Sequence, residues 1–376
     1  SGRPLIWVHA VSLGETRAAQ PLMHSLRGAY PQHEFLVTHM TATGRQAARE
    51  LYGNFAQHVF LPYDFPWAAN RFLRHYRPVL GLIMETEIWP NLLRRAARLH
   101  IPVALVNARM SERSASGYAR LGELACDAIA TFDVVAAQTQ ADADRLEKFG
   151  AKNIHVTGNL KFDASGAAVP PNSFREWFKG RRTFLLASTR DGEEALILDA
   201  IALKELPSDV LMIIVPRHPQ RFDDIAKMMN ERGVAFSRRS AGMPKTADRF
   251  FLGDSMGEMP SYYACSDIAF IGGSLLPYGS QNLIEACAQG VPVILGPSVF
   301  NFKQAAESAI AEGAAIQIHD AGELLNTAVA LLDDPGRRTR MKEAGLAFCA
   351  AHQGATARTM ALIEKLLPPS YPPTSD

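Results

Sequence analysis

Short apolar runs alternate with amphipathic stretches along the first part of the chain. Runs typical of buried strands lie at residues 5–11, 34–39, 57–61, 79–84, 102–107 and 133–137. Helical patterns lie between them, at 15–29, 44–52, 65–76 and 88–99. This alternation predicts a parallel sheet with right-handed crossovers, because each helix must pack back onto the sheet. The first part is therefore predicted to be a doubly wound α/β domain.

The same alternation starts again after a short interruption. Residues 163–171 are small, weakly patterned and contain proline and glycine, as in a linker between domains. Strand-like runs then follow at 183–188, 210–215, 267–271, 291–295 and 314–318. A chain of 376 residues also exceeds what one hydrophobic core usually serves. We predict two Rossmann-like domains, 1–162 and 183–354, a linker at 163–182, and a C-terminal helix with a disordered tail at 355–376.

Composition excludes several classes of protein. Lys and Arg number 39 against 38 acidic residues, and no run of like charges suggests nucleic-acid binding. The four cysteines are far apart and lack the spacing of metal ligands, which is typical of reduced thiols in a cytosolic protein. No apolar run reaches the roughly 18 residues of a membrane span. The chain lacks an initiator Met and enters its first strand at once. The sequence therefore allows the interpretation that a membrane anchor was trimmed from its N-terminus.

Three carboxylates follow two of the predicted strands of the first domain. Glu15 stands where a helix should begin, and Glu85 and Glu87 lie in the motif ETEIWPN directly after the run at 79–84. Ligands of open α/β sheets bind at the carboxyl ends of the strands. Because folding rarely requires three acidic groups there, we predict that they perform chemistry or bind a polar substrate.

Other features of the first domain are interpreted as structural or argue against other activities. His9 is expected to be hydrogen-bonded in the core rather than catalytic, and Trp7 and Trp67 are expected to pack internally. The first strand is followed by a single glycine, Gly14, and no Gly-x-x-x-x-Gly-Lys motif occurs. The sequence therefore argues against a dinucleotide dehydrogenase and against a P-loop kinase.

Several loops of the second domain are rich in hydrogen-bond donors. Ser188 ends its first strand, and Arg217 and His218 stand between two prolines after the second, where Arg could bind a phosphate or carboxylate. The turns at 253–258 and 279–285 each open a helix, whose amides and dipole favour an anion. Capped surface helices are the alternative interpretation of both turns. We predict a nucleotide with one or two phosphates at this edge.

Within the second of these turns, Asn282 and Glu285 are expected to share a helix face, with Glu285 placed to accept ribose hydroxyls.

The chain resembles the 3-deoxy-D-manno-octulosonic acid (Kdo) transferases of Gram-negative lipopolysaccharide biosynthesis over nearly its whole length. The matching motifs are HAVSLGE at 9–15, ETEIWPN at 85–91, NARMS at 107–111, GNLKFD at 158–163, PRHP at 216–219, GDSMGE at 253–258, GGSL at 272–275, and Asn301 with Phe302. The first two motifs are the most specific. The glycine loop and Glu285 are shared with many two-domain glycosyltransferases.

The resemblance implies a GT-B fold, two Rossmann-like domains facing a cleft. It implies inverting transfer of Kdo from CMP-Kdo, held mainly by the C-terminal domain, to a lipid A precursor, with no cofactor and no metal. The family also usually carries a hydrophobic anchor to the cytoplasmic face of the inner membrane, absent from this sequence.

The resemblance also assigns roles to residues. Glu15 matches the catalytic base, and Glu85 or Glu87 would orient the acceptor or the sugar, with the choice left open. Acceptor binding is assigned to Ser12, Gly14, Thr41 and Arg109. Donor binding is assigned to Ser188, Arg217, His218, Ser255, Met256, Gly257, Glu258, Gly273, Ser274, Gly279, Asn282 and Glu285, with Lys161 to neutralise the sugar carboxylate.

Two physical expectations accompany these roles. The helix dipole should keep Glu15 ionised and therefore ready as a base. Ser280 stands where the family commonly has a second glycine, and a positive φ there would cost about 1 kcal/mol or more.

Two alternatives remain. A GT-B transferase or epimerase that uses a UDP-sugar would require more positive charge at the glycine loops. A non-catalytic nucleotide- or lipid-binding scaffold would not require Glu15.

Overall fold

The structure is a computed structural model that describes residues 2–164, 174–204, 206–245 and 247–368. The chain divides into two compact units, Ser1–Ala164 with His352–Asp376, and Ser165–Ala351. Each unit contains a seven-stranded sheet, and all the strand pairs in both sheets are parallel.

The first unit carries a doubly wound sheet. Its strand order is β3-β2-β1-β4-β5-β6-β7. The strands are β1 (Leu5–His9), β2 (Glu34–His39), β3 (Ala56–Phe60), β4 (Leu80–Met84), β5 (Val103–Ala108), β6 (Val134–Ala137) and β7 (Ile154–Val156). Because β2 and β4 flank β1, the loops that follow β1, β2 and β4 share one edge of the sheet.

The helices of this unit begin at residues that satisfy free amides. Ser12, Thr41, Ser111 and Thr139 each accept a hydrogen bond from the amide three residues on. The helices are α1 (Leu13–Ala18), α2 (Gln20–Ala29), α3 (Ala42–Tyr52), α4 (Pro66–Tyr76), α5 (Pro90–Arg98), α6 (Glu112–Ala119), α7 (Glu123–Ile129), α8 (Gln140–Lys148) and α9 (Lys161–Ala164).

The core of the first unit lies on both faces of its sheet. Ile6 and Val8 of β1 pack in one cluster of buried side chains, and Trp7 between them packs in another. Side chains alternate between the faces of a strand, so an uninterrupted apolar run is what a sheet covered on both sides requires. Trp7 is fully buried, as expected, but the same expectation for Trp67 is wrong, because 69% of its surface is exposed.

The second unit repeats the plan. Its strand order is β10-β11-β9-β8-β12-β13-β14. The strands are β8 (Arg182–Thr189), β9 (Val210–Pro216), β10 (Phe236–Arg238), β11 (Phe250–Leu252), β12 (Ile268–Ile271), β13 (Val293–Leu295) and β14 (Ala315–Gln317). The helices from here on are α10 (Glu193–Leu203), α11 (Phe222–Glu231), α12 (Met259–Ala264), α13 (Ile284–Ala288), α14 (Lys303–Ala311), α15 (Ala321–Asp333), α16 (Pro335–His352) and α17 (Ala355–Leu366).

The chain returns to the first unit at its end. Leu362 and Ile363 of α17 belong to the same buried cluster as Ile6 and Val8. The carboxylate of Asp163 accepts hydrogen bonds from the amide of Gly354, at 2.7 Å, and from that of Thr356, at 2.6 Å. These contacts hold the start of α17 against the end of α9.

Most predicted elements are present, with three strands missed. β7, β10 and β11 have three residues each, and β7 and β10 contain no buried residue. None of the three therefore shows the longer apolar run that predicts a buried strand. The helix predicted at 15–29 is two helices that meet at Ala19, next to Pro21 at the start of α2.

Parts of the predicted linker and tail lie outside the described residues, namely 165–173 and 369–376. Residues 174–182 hold a 3-10 turn, Phe174–Glu176, and the first residue of β8. Among the described residues, no helix combines the length and the apolarity needed to cross a bilayer.

Candidate active site

Glu15 is fixed at the start of α1 by a reciprocal cap. Ser12 Oγ accepts the amide of Glu15 at 3.3 Å and donates to Glu15 Oε1 at 2.9 Å. The amide of Val11 donates to Glu15 Oε2 at 2.8 Å. This arrangement resembles a capping box, in which a Ser and a Glu three residues apart cap one another. Both carboxylate oxygens keep a free lone pair, because each can accept two hydrogen bonds.

The pKa of Glu15 is raised to about 7. Burial is the largest cause, followed by the negative charge of Glu85, with a smaller contribution from Glu87. The hydrogen bonds from Val11 and Ser12 oppose the rise. The expectation that the helix dipole keeps Glu15 ionised is therefore wrong, since α1 has only six residues and desolvation dominates. At neutral pH, Glu15 therefore populates both its protonated and its ionised form.

Glu85 lies in a strained turn after β4 and pairs with a cation. Its φ is 55°, in the left-handed region that a β-carbon disfavours. The Nζ of Lys161 lies 3.3 Å from Oε1 of Glu85. Asn107 positions this lysine, because its side-chain oxygen accepts the amide of Leu160 at 3.0 Å. Lys161 thus belongs to the acidic cluster of the first unit.

Glu87 is held by an aromatic donor. Trp89 Nε1 donates to Glu87 Oε2 at 3.0 Å. Burial, and then Glu85, raise the pKa of Glu87, while the bond from Trp89 lowers it. The sequence analysis missed Tyr118, whose hydroxyl donates to the carbonyl of Thr86 at 2.8 Å and whose pKa is raised to about 12 by burial and by Glu87. An isolated tyrosine in an amphipathic helix carries no signal of this role.

The acceptor-assigned residues hold the loops around this cluster. Thr41 Oγ1 donates to the carbonyl of Val11 at 2.9 Å, which ties the end of β1 to the start of α3. The carbonyl of Arg109 accepts the hydroxyl of Thr86 at 2.8 Å, which ties the end of β5 to the acidic loop. Gly14 is exposed in the first turn of α1. The structure thus gathers the eight predicted residues of the first unit around neighbouring strand ends.

His9 is fully buried beneath these loops. Its Nδ1 lies 2.8 Å from Thr38 Oγ1, which also accepts the indole N–H of Trp7 at 2.8 Å. Burial lowers the pKa of His9 to about 3, so the ring is neutral. The interpretation of His9 as a hydrogen-bonded core residue is confirmed.

In the second unit, the turn after β12 is bound to a buried carboxylate that the sequence analysis missed. Glu193 Oε2 accepts the amides of Gly273, at 2.7 Å, and Arg190, at 2.8 Å, and Oε1 accepts that of Leu275 at 3.0 Å. Ser274 Oγ donates to the carbonyl of Ile271 and accepts the amide of Gly296. The amide of Gly273 and the hydroxyl of Ser274 therefore already donate hydrogen bonds to acceptors within the second unit.

The loop at 279–285 has a positive φ at two consecutive residues, 85° at Gly279 and 69° at Ser280. The expected strain at Ser280 is therefore present. The amide of Gly279 donates to Ser298 Oγ. The amide of Ser280 donates to the carbonyl of Gly273, and that of Gln281 to the carbonyl of Gly272. The described residues offer no acceptor to the next two amides, those of residues 282 and 283.

Asn282 and Glu285 meet, but not on a helix face as predicted. Asn282 precedes α13, which begins at Ile284, and its side-chain oxygen accepts the amide of Ile284 at 3.1 Å. Its amide nitrogen donates to Glu285 Oε1 at 3.0 Å. The local sequence correctly predicts that the two residues meet, but it predicts a helix that already includes Asn282, two residues before its observed start.

Arg217 is bound to the same loop. Its Nε donates to Gln281 Oε1 at 3.0 Å. The neighbouring His218 has a lowered pKa because of burial and of three arginines, Arg190, Arg217 and Arg221. Ser188, with a φ of 57°, is the last residue but one of β8. A cationic group therefore lies at the carboxyl ends of β8 and β9.

The turn at 255–258 leads into α12. Glu258 accepts two hydrogen bonds from Arg239, at 2.9 and 3.1 Å, and one from Ser255 Oγ. Met256 is half exposed, and Gly257 has a φ of 79°. The sequence analysis missed Arg239, which comes from the distant 3-10 turn Arg239–Ala241.

Comparison with known proteins decides the family. Residues 1–164 match the family model "3-Deoxy-D-manno-octulosonic-acid transferase (kdotransferase)". The chain is 47% identical over 380 residues to the 3-deoxy-D-manno-octulosonic acid transferase of Bordetella pertussis, covering 96% of this chain and 87% of that one. The chain belongs to the Kdo transferase family. The enzyme of that name from Haemophilus influenzae is 34% identical to this Kdo transferase over 371 residues, with the same coverage.

This Kdo transferase is accordingly a glycosyltransferase. Its fold is similar to that of a solved UDP-GlcNAc 2-epimerase from Neisseria meningitidis bound to UDP-GlcNAc, with a TM-score of 0.67 and 14% identity, covering 96% of this chain and 100% of that one. Together with the two parallel sheets, this likeness confirms the predicted fold class, two Rossmann-like domains of the GT-B type. At this identity the likeness extends to the fold alone.

Proposed function

We propose that this enzyme transfers Kdo from CMP-Kdo to a lipid A precursor with inversion at the anomeric carbon, in lipopolysaccharide biosynthesis. Glu15 acts as the general base: its carboxylate takes the proton of the acceptor hydroxyl as the hydroxyl oxygen bonds to the anomeric carbon. The bond from that carbon to the phosphate oxygen breaks, and CMP leaves with the electron pair. The observation that carries this proposal is the buried carboxylate of Glu15, held by Val11 and Ser12, whose pKa of about 7 suits a base at neutral pH.

The neighbours of Glu15 support this role. Val11 and Ser12 hold its carboxylate in one orientation. Glu85 and Glu87 supply negative charge, which favours proton uptake by Glu15 and stabilises the positive charge that develops on the sugar ring. Lys161 lies beside Glu85 and offers a cation to the carboxylate of Kdo. The two remaining carboxylates would orient acceptor hydroxyls.

The second unit would bind the CMP part of the donor. The phosphate of CMP-Kdo would accept the amides of Asn282 and Leu283 and pair with the guanidinium of Arg217. Glu285 would accept the ribose hydroxyls. The donor carries one phosphate, and amides with one arginine can stabilise its charge without a metal ion. We therefore propose metal-independent transfer.

Exposed aromatic side chains support action at a membrane surface. Between β3 and the first turn of α4, Phe60, Tyr63, Phe65 and Trp67 are 48%, 73%, 55% and 69% exposed. The rings of Phe65 and Trp67 stack at 6.4 Å, and the guanidinium of Arg45 lies over Phe60. Aromatic rings beside a cation suit the interface of an anionic bilayer. We propose the cytoplasmic face of the inner membrane, where a lipid acceptor is available.

A transfer assay tests the proposal. The purified chain is given CMP-Kdo generated in situ and a lipid A precursor in detergent, with EDTA, and products are analysed by mass spectrometry. We expect Kdo-sized mass increments for the wild type and none for Glu15→Gln. Glu50→Gln, which removes an exposed carboxylate of α3, is the matched control and should keep full activity. Normal turnover by Glu15→Gln would refute the base, and turnover of a UDP-sugar instead would support the alternative donor.

A further inference from the structure

A cavity of about 590 Å³ opens in the second unit at the edge of the sheet opposite the donor-assigned loops. Thr183, Asp267 and Pro292 line it, at the amino ends of β8, β12 and β13. The donor-assigned residues of this unit lie at the carboxyl ends of β8, β9, β11 and β12 in the same sheet. Because β8 has eight residues, the two edges are separated by roughly 25 Å. The cavity is therefore not part of the candidate active site.

The lining of this cavity is strongly basic. It includes two acidic side chains, Glu176 and Asp267, and five cationic ones, Arg175, Lys179, Arg181, Arg338 and Lys342. The excess of three positive charges contrasts with a formal net charge of +1 for the whole chain. Two of the cations come from α16 and three from the segment before β8.

The arginines are oriented without losing their charge. Arg175 donates to the carbonyl of Ala264 at 3.1 Å, Arg181 to that of Asp248 at 2.5 Å, and Arg338 to that of Leu331 at 2.7 Å. A carbonyl fixes a guanidinium but does not neutralise it, and each guanidinium has further N–H donors. Burial and then the nearby Arg249 lower the pKa of Arg181, while the charges of Asp248 and Asp209 oppose the shift.

The two carboxylates of the lining offset only part of this charge. Asp267 Oδ2 accepts the amide and the hydroxyl of Thr183, at 2.7 and 3.1 Å. Glu176 is 79% exposed and pairs with Lys179 at 3.6 Å. In the described part of the chain, this is the one ion pair that involves any of the five cations. The aliphatic part of the Lys342 side chain packs on Gly290. A β-carbon at position 290 would lie 2.9 Å from Cγ of Lys342, so this contact as it stands requires glycine.

We propose that this cavity is a second ligand site, which binds a phosphate-bearing molecule at the edge of the sheet opposite the donor loops. Several oriented guanidinium groups, with lysines at the rim, form the donor set that phosphate oxygens prefer. The volume suits a small molecule or a lipid headgroup. A phosphate bound here would connect α16 to the segment before β8 and stabilise the second unit.

Binding of inorganic pyrophosphate to the full chain tests the site, by calorimetry, and the paired variants below separate this binding from anion binding at the donor loops. The variant Lys179→Gln/Lys342→Gln removes two lining charges at exposed positions. The control Arg337→Gln/Arg340→Gln removes two exposed charges of α16 that do not line the cavity. We expect the wild type and the control to bind, and the lysine variant to bind at least tenfold more weakly.

A second arm identifies the source of the phosphate. Co-sedimentation with vesicles that contain phosphatidylglycerol replaces pyrophosphate, with neutral vesicles as the reference. Anionic vesicles that bind the wild type and the control more tightly than the lysine variant would assign the site to a lipid phosphate even if pyrophosphate does not bind. Absence of both interactions in the wild type, or equal losses in the two double variants, would overturn the proposal.

Discussion

The ammonium nitrogen of Lys161 lies 3.3 Å from a carboxylate oxygen of Glu85, with 18% of each side chain exposed. This pair stands next to Glu15, whose pKa is raised by burial and then by the charge of Glu85. The negative charge of Glu85 therefore raises the pKa of Glu15 even though Lys161 lies beside Glu85. After burial, Glu85 is the largest contributor to the proton affinity of the proposed base, without being the base itself.

Neutralising Glu85 should make Glu15 a weaker base that ionises at lower pH. The transfer rate rises with pH as Glu15 loses its proton, with a midpoint near its pKa of about 7. In Glu85→Gln we expect that midpoint to move down by about one unit, because a neighbouring negative charge is removed. The measurement is the pH dependence of kcat/KM between pH 5 and 9.

The control for this shift is Glu50→Gln, which should keep the wild-type midpoint. A lower maximal rate in Glu85→Gln is compatible with an orienting role for Glu85. An unchanged midpoint would show that Glu85 does not tune Glu15.

The raised pKa of Glu15 should also appear in stability. The folded state holds the proton of Glu15 more tightly than the unfolded chain, since the pKa rises from 4.5 to about 7. Wild-type stability therefore falls as pH rises from about 4.5 to 7, and Glu15→Gln does not titrate. We expect the free energy of unfolding of Glu15→Gln, relative to wild type, to increase by up to about 3 kcal/mol over that range. Urea unfolding at pH 5 and 8 measures it, and a constant difference would contradict the assignment.

The sequence predicted the repeated α/β plan and the clustering of Glu15, Glu85 and Glu87, because buried parallel strands carry apolar runs and their carboxyl ends share an edge. It could not predict partners distant in sequence. The ion pair of Lys161 with Glu85 depends on a loop held by Asn107. The raised pKa of Glu15 depends on burial, which the local sequence does not show. The argument from the helix dipole therefore predicted the wrong direction for the pKa shift.

The same limit applies to Glu193 in the second unit and to Trp67 in the first. Glu193 looks like an ordinary acidic residue in the first turn of a helix, yet it binds the amides of the turn after β12. Trp67 looks like a core residue by type, yet it is exposed. Residue type and local pattern therefore predict elements better than they predict which polar groups are already paired.

Loss of an exposed aromatic ring should weaken binding to membranes. Trp67 is 69% exposed, so Trp67→Ser should not change the melting temperature. It should reduce co-sedimentation with anionic vesicles about tenfold, because the indole no longer inserts at the interface. Leu203→Ser, at a position of the second unit that is 91% exposed, is the control. Equal binding of the two variants would argue against this surface.

Glycine at position 280 should stabilise the second unit. Ser280 has a φ of 69° and is almost completely buried, so its β-carbon is held in a disfavoured backbone region. In Ser280→Gly we expect the free energy of unfolding to rise by about 1 kcal/mol, measured by urea unfolding. Ser280→Ala keeps the strain and loses only the hydroxyl, so it should not be stabilised. A gain in the alanine variant equal to that in the glycine variant would exclude strain as the cause.

Two arginines that pair with acids of α10 should differ sharply in their contribution to stability. Arg221 donates to both oxygens of Glu194 at 2.8 Å, and Glu194 is fully buried. Arg232 pairs with Asp199, whose side chain is 63% exposed. Arg221→Ala leaves a buried carboxylate without its partner and should cost about 3–5 kcal/mol. Arg232→Ala breaks a solvated pair and should cost about 1 kcal/mol or less.

The measurement is urea unfolding of both variants at pH 7. Adding Glu194→Gln to Arg221→Ala should recover part of the loss, because the uncompensated charge is then removed. Recovery would separate the cost of the buried charge from that of lost packing. Equal losses in the two single variants, or no recovery in the double variant, would show that burial of Glu194 does not determine the strength of this pair.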